Sequence, residues 1–145
     1  MAEVISSLTS RGYYYIGLNW FNWWKYAKAS NQIDIQLYHM PHLTVMLPAI
    51  DEAEGVAEII PRIPNSELEE LGWDVSILVV DGGSTDDTVQ VSQDLGAEVI
   101  KQQGTGKGAA MRLGFLHFLK SESDSLVMLD CDGTYHPEQI VDFIK

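Results

Sequence analysis

Cysteine is nearly absent. Cys131 stands alone among 145 residues, so no internal disulfide framework braces this fold, which suits a reducing compartment. Basic residues are also scarce: nine Lys plus Arg face 21 Asp plus Glu, for a formal net charge of -12. That balance argues against a nucleic-acid-binding module, which needs a basic patch to meet phosphates. It leaves room for an anionic small ligand, because a divalent cation bound beside one supplies the missing positive charge. No apolar run approaches the roughly 18 residues that a bilayer-spanning helix needs. Residues 1–12 lack a basic segment followed by an apolar one, so a cleaved signal peptide is not expected. Internal repeats and low-complexity linkers are missing as well. What remains is 46% apolar and 21% charged, the make-up of one ordinary globular domain.

Charge and aromatics are unevenly spread. Residues 1–40 carry a net charge of +1, so residues 41–145 carry -13, while nine of the 14 aromatics fall before residue 41. The expected organisation is therefore an aromatic-rich extension over 1–40 and a separate domain over 41–145. Wound as a helix, the stretch 13–28 gathers Ile16, Trp20, Trp23, Trp24 and Ala27 on one side and Asn19, Asn22, Lys25 and Lys28 on the other. Trp and Tyr flanked by Lys suit a helix lying in a membrane interface, which would make the chain cytoplasmic and peripheral at the cytoplasmic membrane face. The alternative is an arm packed on the protein's own surface.

Beyond Pro41 the pattern turns regular. Apolar runs at 43–47, 75–80, 97–101 and 125–129 read as strands, with helical segments over 54–63, 84–95, about 106–120 and from Pro137 onward. Ser84 and Asp87 have the spacing of a capping box, and Gly96 follows as a stop. Near-continuous apolar strands alternating with helices predict an α/β fold, a mostly parallel sheet of about four strands flanked by helices. Ligands bind such sheets at the carboxyl ends of the strands. Three unusual segments, Pro48–Glu52, Asp81–Asp86 and Asp130–Asp132, all follow strand ends and should converge on one edge.

Their chemistry is readable residue by residue. Asp130 and Asp132, two residues apart, are hard to keep ionised together without a cation, and their oxygens suit Mg²⁺ or Mn²⁺ shared with phosphate and water. The plain alternative is a solvated acidic loop. Asp81, before Gly82-Gly83-Ser84, is placed to accept from a base or ribose, or else to satisfy a turn. Gly104-Thr105-Gly106-Lys107-Gly108 lacks the spacer of a Walker A loop and has Gly108 where Ser or Thr is required, so a P-loop NTPase is rejected. Lys107 still suits a phosphate near a helix N-terminus. His117 reads as packing or surface, and His136 as a weak ligand candidate. Cys131, between two carboxylates, should have a raised pKa and make a poor nucleophile.

Taken in order, Leu47-Pro48-Ala49-Ile50-Asp51-Glu52, Val79-Val80-Asp81-Gly82-Gly83-Ser84-Thr85-Asp86, Gly104-Thr105-Gly106-Lys107-Gly108-Ala109-Ala110 and Leu129-Asp130-Cys131-Asp132-Gly133-Thr134-Tyr135 resemble the motifs of family 2 glycosyltransferases of the GT-A fold. Within that family the forms are most similar to synthases that load mannose or glucose onto dolichyl or other polyprenyl phosphate. The resemblance implies a Rossmann-like nucleotide-binding half, with Pro48, Ala49, Ile50, Glu52 and Asp81 around the nucleoside and Lys107 near the diphosphate. It places Asp130 against ribose or metal, and Asp132 on the Mg²⁺ or Mn²⁺. The implied donor is a GDP- or UDP-hexose, the acceptor a polyprenyl phosphate, and the transfer inverting. Asp51 replaces the usual Asn, and Gly82 stands where many members have a second Asp. The resemblance also implies a domain longer than this chain, so the expectation is of a truncated GT-A half without the acceptor side and its catalytic groups. Two alternatives stand beside it. One is a phosphatase of the haloacid dehalogenase type, with Asp130 as nucleophile and Asp132 as acid. The other is a non-catalytic, truncated nucleotide-binding module.

Overall fold

The computed structural model describes residues 40–145, and the aromatic stretch 13–28 lies outside them. Residues Pro41–Lys145 form a compact unit. The four apolar runs become β1 (His42–Ala49), β2 (Asp74–Asp81), β3 (Glu98–Lys101) and β4 (Ser125–Met128). The intervening helices are α1 (Ala53–Ile59), α2 (Asn65–Glu70), α3 (Thr88–Asp94) and α4 (Lys107–Phe118), with α5 (Ile140–Ile144) after β4. All pairings are parallel, in the order β3-β2-β1-β4. The expected four-stranded parallel sheet flanked by helices is the observed one.

Side-chain alternation along β1 explains the layers. Leu43, Val45, Leu47 and Ala49 face a core shared with Val56 and Ile59 of α1, Leu68 of α2, and Ile140 and Val141 of α5. Met46 points the other way, with Leu78 and Val80 of β2, and packs under Ala110 of α4. Both middle strands are thus covered on both faces, which is why they read as continuous apolar runs rather than alternating ones. Each fully buried Leu, Ile or Val contributes on the order of 1.5–3 kcal/mol relative to exposure.

The boundaries differ from expectation in instructive places. β1 continues through Pro48 although proline donates no hydrogen bond. Met46 and Pro48 share the side facing β4, and the β1–β4 register ends at Met46 opposite Met128, so no donor is needed at Pro48. Pro61 does not permit a full last turn: the helix passes into a 3-10 turn over Ile60–Arg62. The capping box at Ser84 does not form. α3 starts only at Thr88, with Asp87 as the flanking residue, because the Ser84 hydroxyl instead accepts the Asp51 N–H (3.0 Å). Gly96 does stop α3, with φ at 84°.

Chain order also locates the functional edge. From β1 the chain moves outward through β2 to β3, then returns past β1 to lay down β4 on the opposite side. The strand order reverses between β1 and β4, so the carboxyl ends of these two strands mark the switch point of the sheet, where such folds bind ligands. Pro48–Glu52 and Asp130–Asp132 are the segments that leave those two ends.

Candidate functional site

A cleft of about 250 Å³ opens at this edge, lined by Pro48, Ala49, Ile50 and Glu52 after β1, by Asp130 and Asp132 after β4, and by Lys107 at the start of α4. Gly82, Gln102, Gly106, Ala110 and Cys131 complete its wall. Every sequence-predicted site residue except Asp81 thus lines one cleft. Asp81 lies just behind it, 2% exposed, its carboxylate accepting the Ser84 N–H at 2.9 Å. Burial pushes the Asp81 pKa up, but hydrogen bonds from Ser84 and Gly83 and the charge of Lys101 outweigh it and hold the group below its ordinary value.

The first loop is held by the second. Asp51 sits at a left-handed φ of 51°, a conformation that Asp and Asn tolerate best among residues with a side chain. From there its Oδ1 accepts the Thr85 N–H (2.7 Å), the Thr85 hydroxyl (3.2 Å) and the Asp86 N–H (3.4 Å). In return, Asp86 accepts the Ala53 N–H (3.1 Å) and the Thr88 hydroxyl accepts the Glu52 N–H (2.8 Å). These bonds satisfy donors at the exposed start of α1 and aim Ile50 and Glu52 into the cleft. Asp51→Ala removes the acceptor and leaves a left-handed residue with nothing to hold it. The expected loss is about 2 kcal/mol of unfolding free energy in urea titration, with Asp51→Asn retaining most of it. Equal stabilities for the two variants would show that the carbonyl-type acceptor contributes nothing.

Charge is arranged at the other end of the cleft. Lys107 Nζ donates to Asp130 Oδ1 at 2.5 Å, and that bond holds the ammonium above its ordinary lysine value. Asp132 Oδ1 accepts the Thr134 N–H (2.9 Å), and the Thr134 hydroxyl and N–H together keep its carboxyl below the usual range. Arg62 reaches Glu138 (2.9 Å) and His136 Nδ1 (3.3 Å), which ties the segment after Asp132 to the turn after α1. His136 is engaged there, and His117 lies 3.4 Å from Glu98, away from the cleft wall.

The donor set fits a divalent cation of a particular kind. Asp130 and Asp132 offer hard carboxylate oxygens, and among the described residues no group of three or more His, Cys, Asp or Glu converges on one point. Two carboxylates match a Mg²⁺ or Mn²⁺ that takes its remaining ligands from phosphate oxygens and water. Cys131 adds nothing as a ligand or nucleophile. Burial first, then Glu52, Asp130 and Asp132, push its thiol up to about 12, and its Sγ points to the Pro48 carbonyl (3.8 Å). Alkylation by iodoacetamide at pH 8 is therefore expected to be negligible in the folded chain and complete after denaturation. Modification of the native chain at the rate of a free thiol would contradict the assigned burial.

Sequence reasoning missed Gln102, Gly106 and Ala110 as cleft residues. It also noted Asp51 only as a departure from a pattern. Gly106 and Ala110 lie in the Gly104–Ala110 motif but receive no role of their own from it, and nothing local marks Gln102 or the role of Asp51.

Residues 44–145 match the model of glycosyl transferase family 2. Glycosyltransferase AglJ of Haloferax volcanii is 38% identical over 91 residues, 63% of this chain and 27% of that protein. An undecaprenyl-phosphate 4-deoxy-4-formamido-L-arabinose transferase of Enterobacter is 32% identical over 105 residues, 68% of this chain and 31% of its own length. Among solved structures, glucosyl-3-phosphoglycerate synthase from Mycobacterium tuberculosis, in complex with Mn²⁺, UDP and glucosyl-3-phosphoglycerate, superposes with a TM-score of 0.57 at 28% identity. That match covers 69% of this chain and 37% of the synthase. The chain thus spans well under half the length of each of these three proteins.

Proposed function

Because this chain belongs to glycosyl transferase family 2, we propose that its cleft binds a nucleoside-diphosphate hexose with a divalent cation, for inverting transfer of the sugar to a polyprenyl phosphate. The observation that carries this reading is the convergence of Pro48, Ile50, Glu52, Lys107, Asp130 and Asp132 on one cleft at the switch point of a parallel sheet. The nucleoside lies against the apolar wall of Pro48, Ala49 and Ile50, and the diphosphate against Lys107. Asp130 and Asp132 would hold the Mg²⁺ or Mn²⁺, whose charge would offset that of a leaving nucleoside diphosphate.

Lys107 acts as a mobile cation. It is half-exposed and paired with Asp130, so it needs only a side-chain rotation to meet a phosphate oxygen. A polyprenyl phosphate is ionised at neutral pH and attacks without a strong general base. The undecaprenyl-phosphate relative supports an acceptor of this class. Residues 13–28 would hold the enzyme at the cytoplasmic membrane face that carries such an acceptor, and undiminished liposome binding after deletion of residues 1–40 would sink that part.

The test is calorimetric titration of the chain with UDP and GDP, each with and without Mn²⁺. The expected result is metal-dependent binding of one of them, which also names the base. No binding of either nucleotide to a folded chain would overturn the reading. Binding without sugar transfer to a polyprenyl phosphate would make the chain a binding module.

A further inference from the structure

The cleft has an end that the reading above leaves chemically undefined. Asp130, Asp132 and Lys107 define the diphosphate end, beside β4. The sheet order puts β3 at the opposite edge, beyond β1 and β2. Gln102 follows β3 directly, its N–H donating to the Asp81 carbonyl (2.9 Å), and it lines the same cleft. A nucleotide with its diphosphate at Lys107 therefore extends toward Gln102 with the part farthest from the phosphates, the base.

Gln102 is only 9% exposed, and its two amide atoms are in different states. Nε2 donates to the Gly104 carbonyl at 3.2 Å. Oε1 is buried with no hydrogen-bond partner among the described residues. The bond to Gly104 fixes which way the amide points, since the flipped amide would set two carbonyl oxygens against each other. A buried acceptor without a donor is costly, and such groups in native proteins call for an explanation.

We propose that Gln102 is the base-reading residue of this cleft, its side-chain carbonyl accepting a hydrogen bond from a nucleobase N–H. This inference rests on the nucleotide reading of the site. With Nε2 committed to Gly104, Gln102 presents an acceptor alone. It therefore favours a base that turns a ring N–H toward it, as uracil and guanine do, over one that presents a ring acceptor at that position.

The test compares UDP with N3-methyl-UDP, or GDP with N1-methyl-GDP, using whichever nucleotide the wild-type chain binds in Mn²⁺. Wild type is expected to bind the methylated form at least about tenfold more weakly, because methylation removes the donor. Gln102→Leu keeps the bulk and removes the acceptor, and it is expected to bind both forms within about twofold of each other. Wild-type binding that ignores methylation overturns this inference without any variant and leaves the nucleotide reading intact. So does a Gln102→Leu chain that still discriminates as wild type does. A wild-type chain that binds no nucleotide overturns both.

Discussion

Asp132→Ala is expected to remove the Mn²⁺-dependent part of nucleotide binding, a loss of more than about 100-fold, while leaving the fold intact. The asymmetry between the two carboxylates carries this prediction. Asp130 is already paired with Lys107 at 2.5 Å. Asp132 has no cationic side chain in such contact; its carboxylate accepts from the Thr134 N–H and hydroxyl, and it is exposed. Truncating Asp132 therefore deletes the oxygen proposed for the metal without stranding a buried partner. Truncating Asp130 does two things at once, since it also releases Lys107 toward the phosphates. The expected order of damage to metal-dependent binding is Asp132→Ala first and Lys107→Ala well behind, at about tenfold. Because the donor set holds only two carboxylates, Mn²⁺ alone should bind weakly and nucleotide should tighten it. Calorimetry with Mn²⁺, with nucleotide, and with both measures each term. Wild-type affinity in the Asp132→Ala chain would take that carboxylate out of the metal site.

Gly55→Val is expected to damage both stability and binding although Gly55 lies outside the cleft lining. Gly55 lies in the first turn of α1, where an added Cβ would collide with the backbone carbonyl of Cys131 and crowd the Cys131 side chain at 3.2 Å. A backbone atom cannot rotate away as a flexible side chain can. Either α1 shifts or the loop carrying Asp130 and Asp132 does, and overpacking of this kind typically costs about 1–3 kcal/mol. Alanine at this position gains about 1 kcal/mol of helix propensity over glycine and still meets the same carbonyl, so Gly55→Ala should be milder than Gly55→Val. Both should weaken Mn²⁺-dependent nucleotide binding more than their loss of stability alone explains. Urea denaturation and calorimetry on the same samples separate the two effects. Unchanged stability and unchanged binding in Gly55→Val would mean that α1 and the Asp130 loop are not in backbone contact.

The parts of this fold that were legible in the sequence are those set by local chemistry. Leu43–Leu47 and Val75–Val80 are apolar on both faces, and that alone marks strands buried between two helical layers. Gly96 stops α3 because a left-handed turn is open to glycine at no steric cost. The convergence of the segments after β1 and β4 on one edge was legible from the alternation of strand and helix. Failures came where a side chain chose a distant partner over a near one. Ser84 had the local geometry to cap α3 but accepts from Asp51, 33 residues away. Asp51 reads as a mere replacement for Asn until its φ of 51° and its bonds to Thr85 and Asp86 are seen together. Gln102 stands in a polar Lys-Gln-Gln-Gly run with nothing to mark it, yet it is buried at the cleft wall.

The position of β4 has a consequence for how this site comes into being. β1, β2 and β3 follow one another in the chain, and their loops complete the Pro48, Gly82 and Gln102 side of the cleft by residue 102. β4 pairs with β1 across 82 residues, Leu43 meeting Ser125. Loop closure over that span must come before its contacts can stabilise it. During synthesis, then, the side of the cleft assigned to the base is assembled from chain already made. The carboxylates of Asp130 and Asp132 arrive later, with β4. With four residues, none of them fully buried, β4 is, like β3, a short strand paired on one side only among the described residues. Local opening of β4 would carry away the Asp130 and Asp132 side of the cleft while the other side stayed, so a ligand bound across both sides would act as a clasp on that strand.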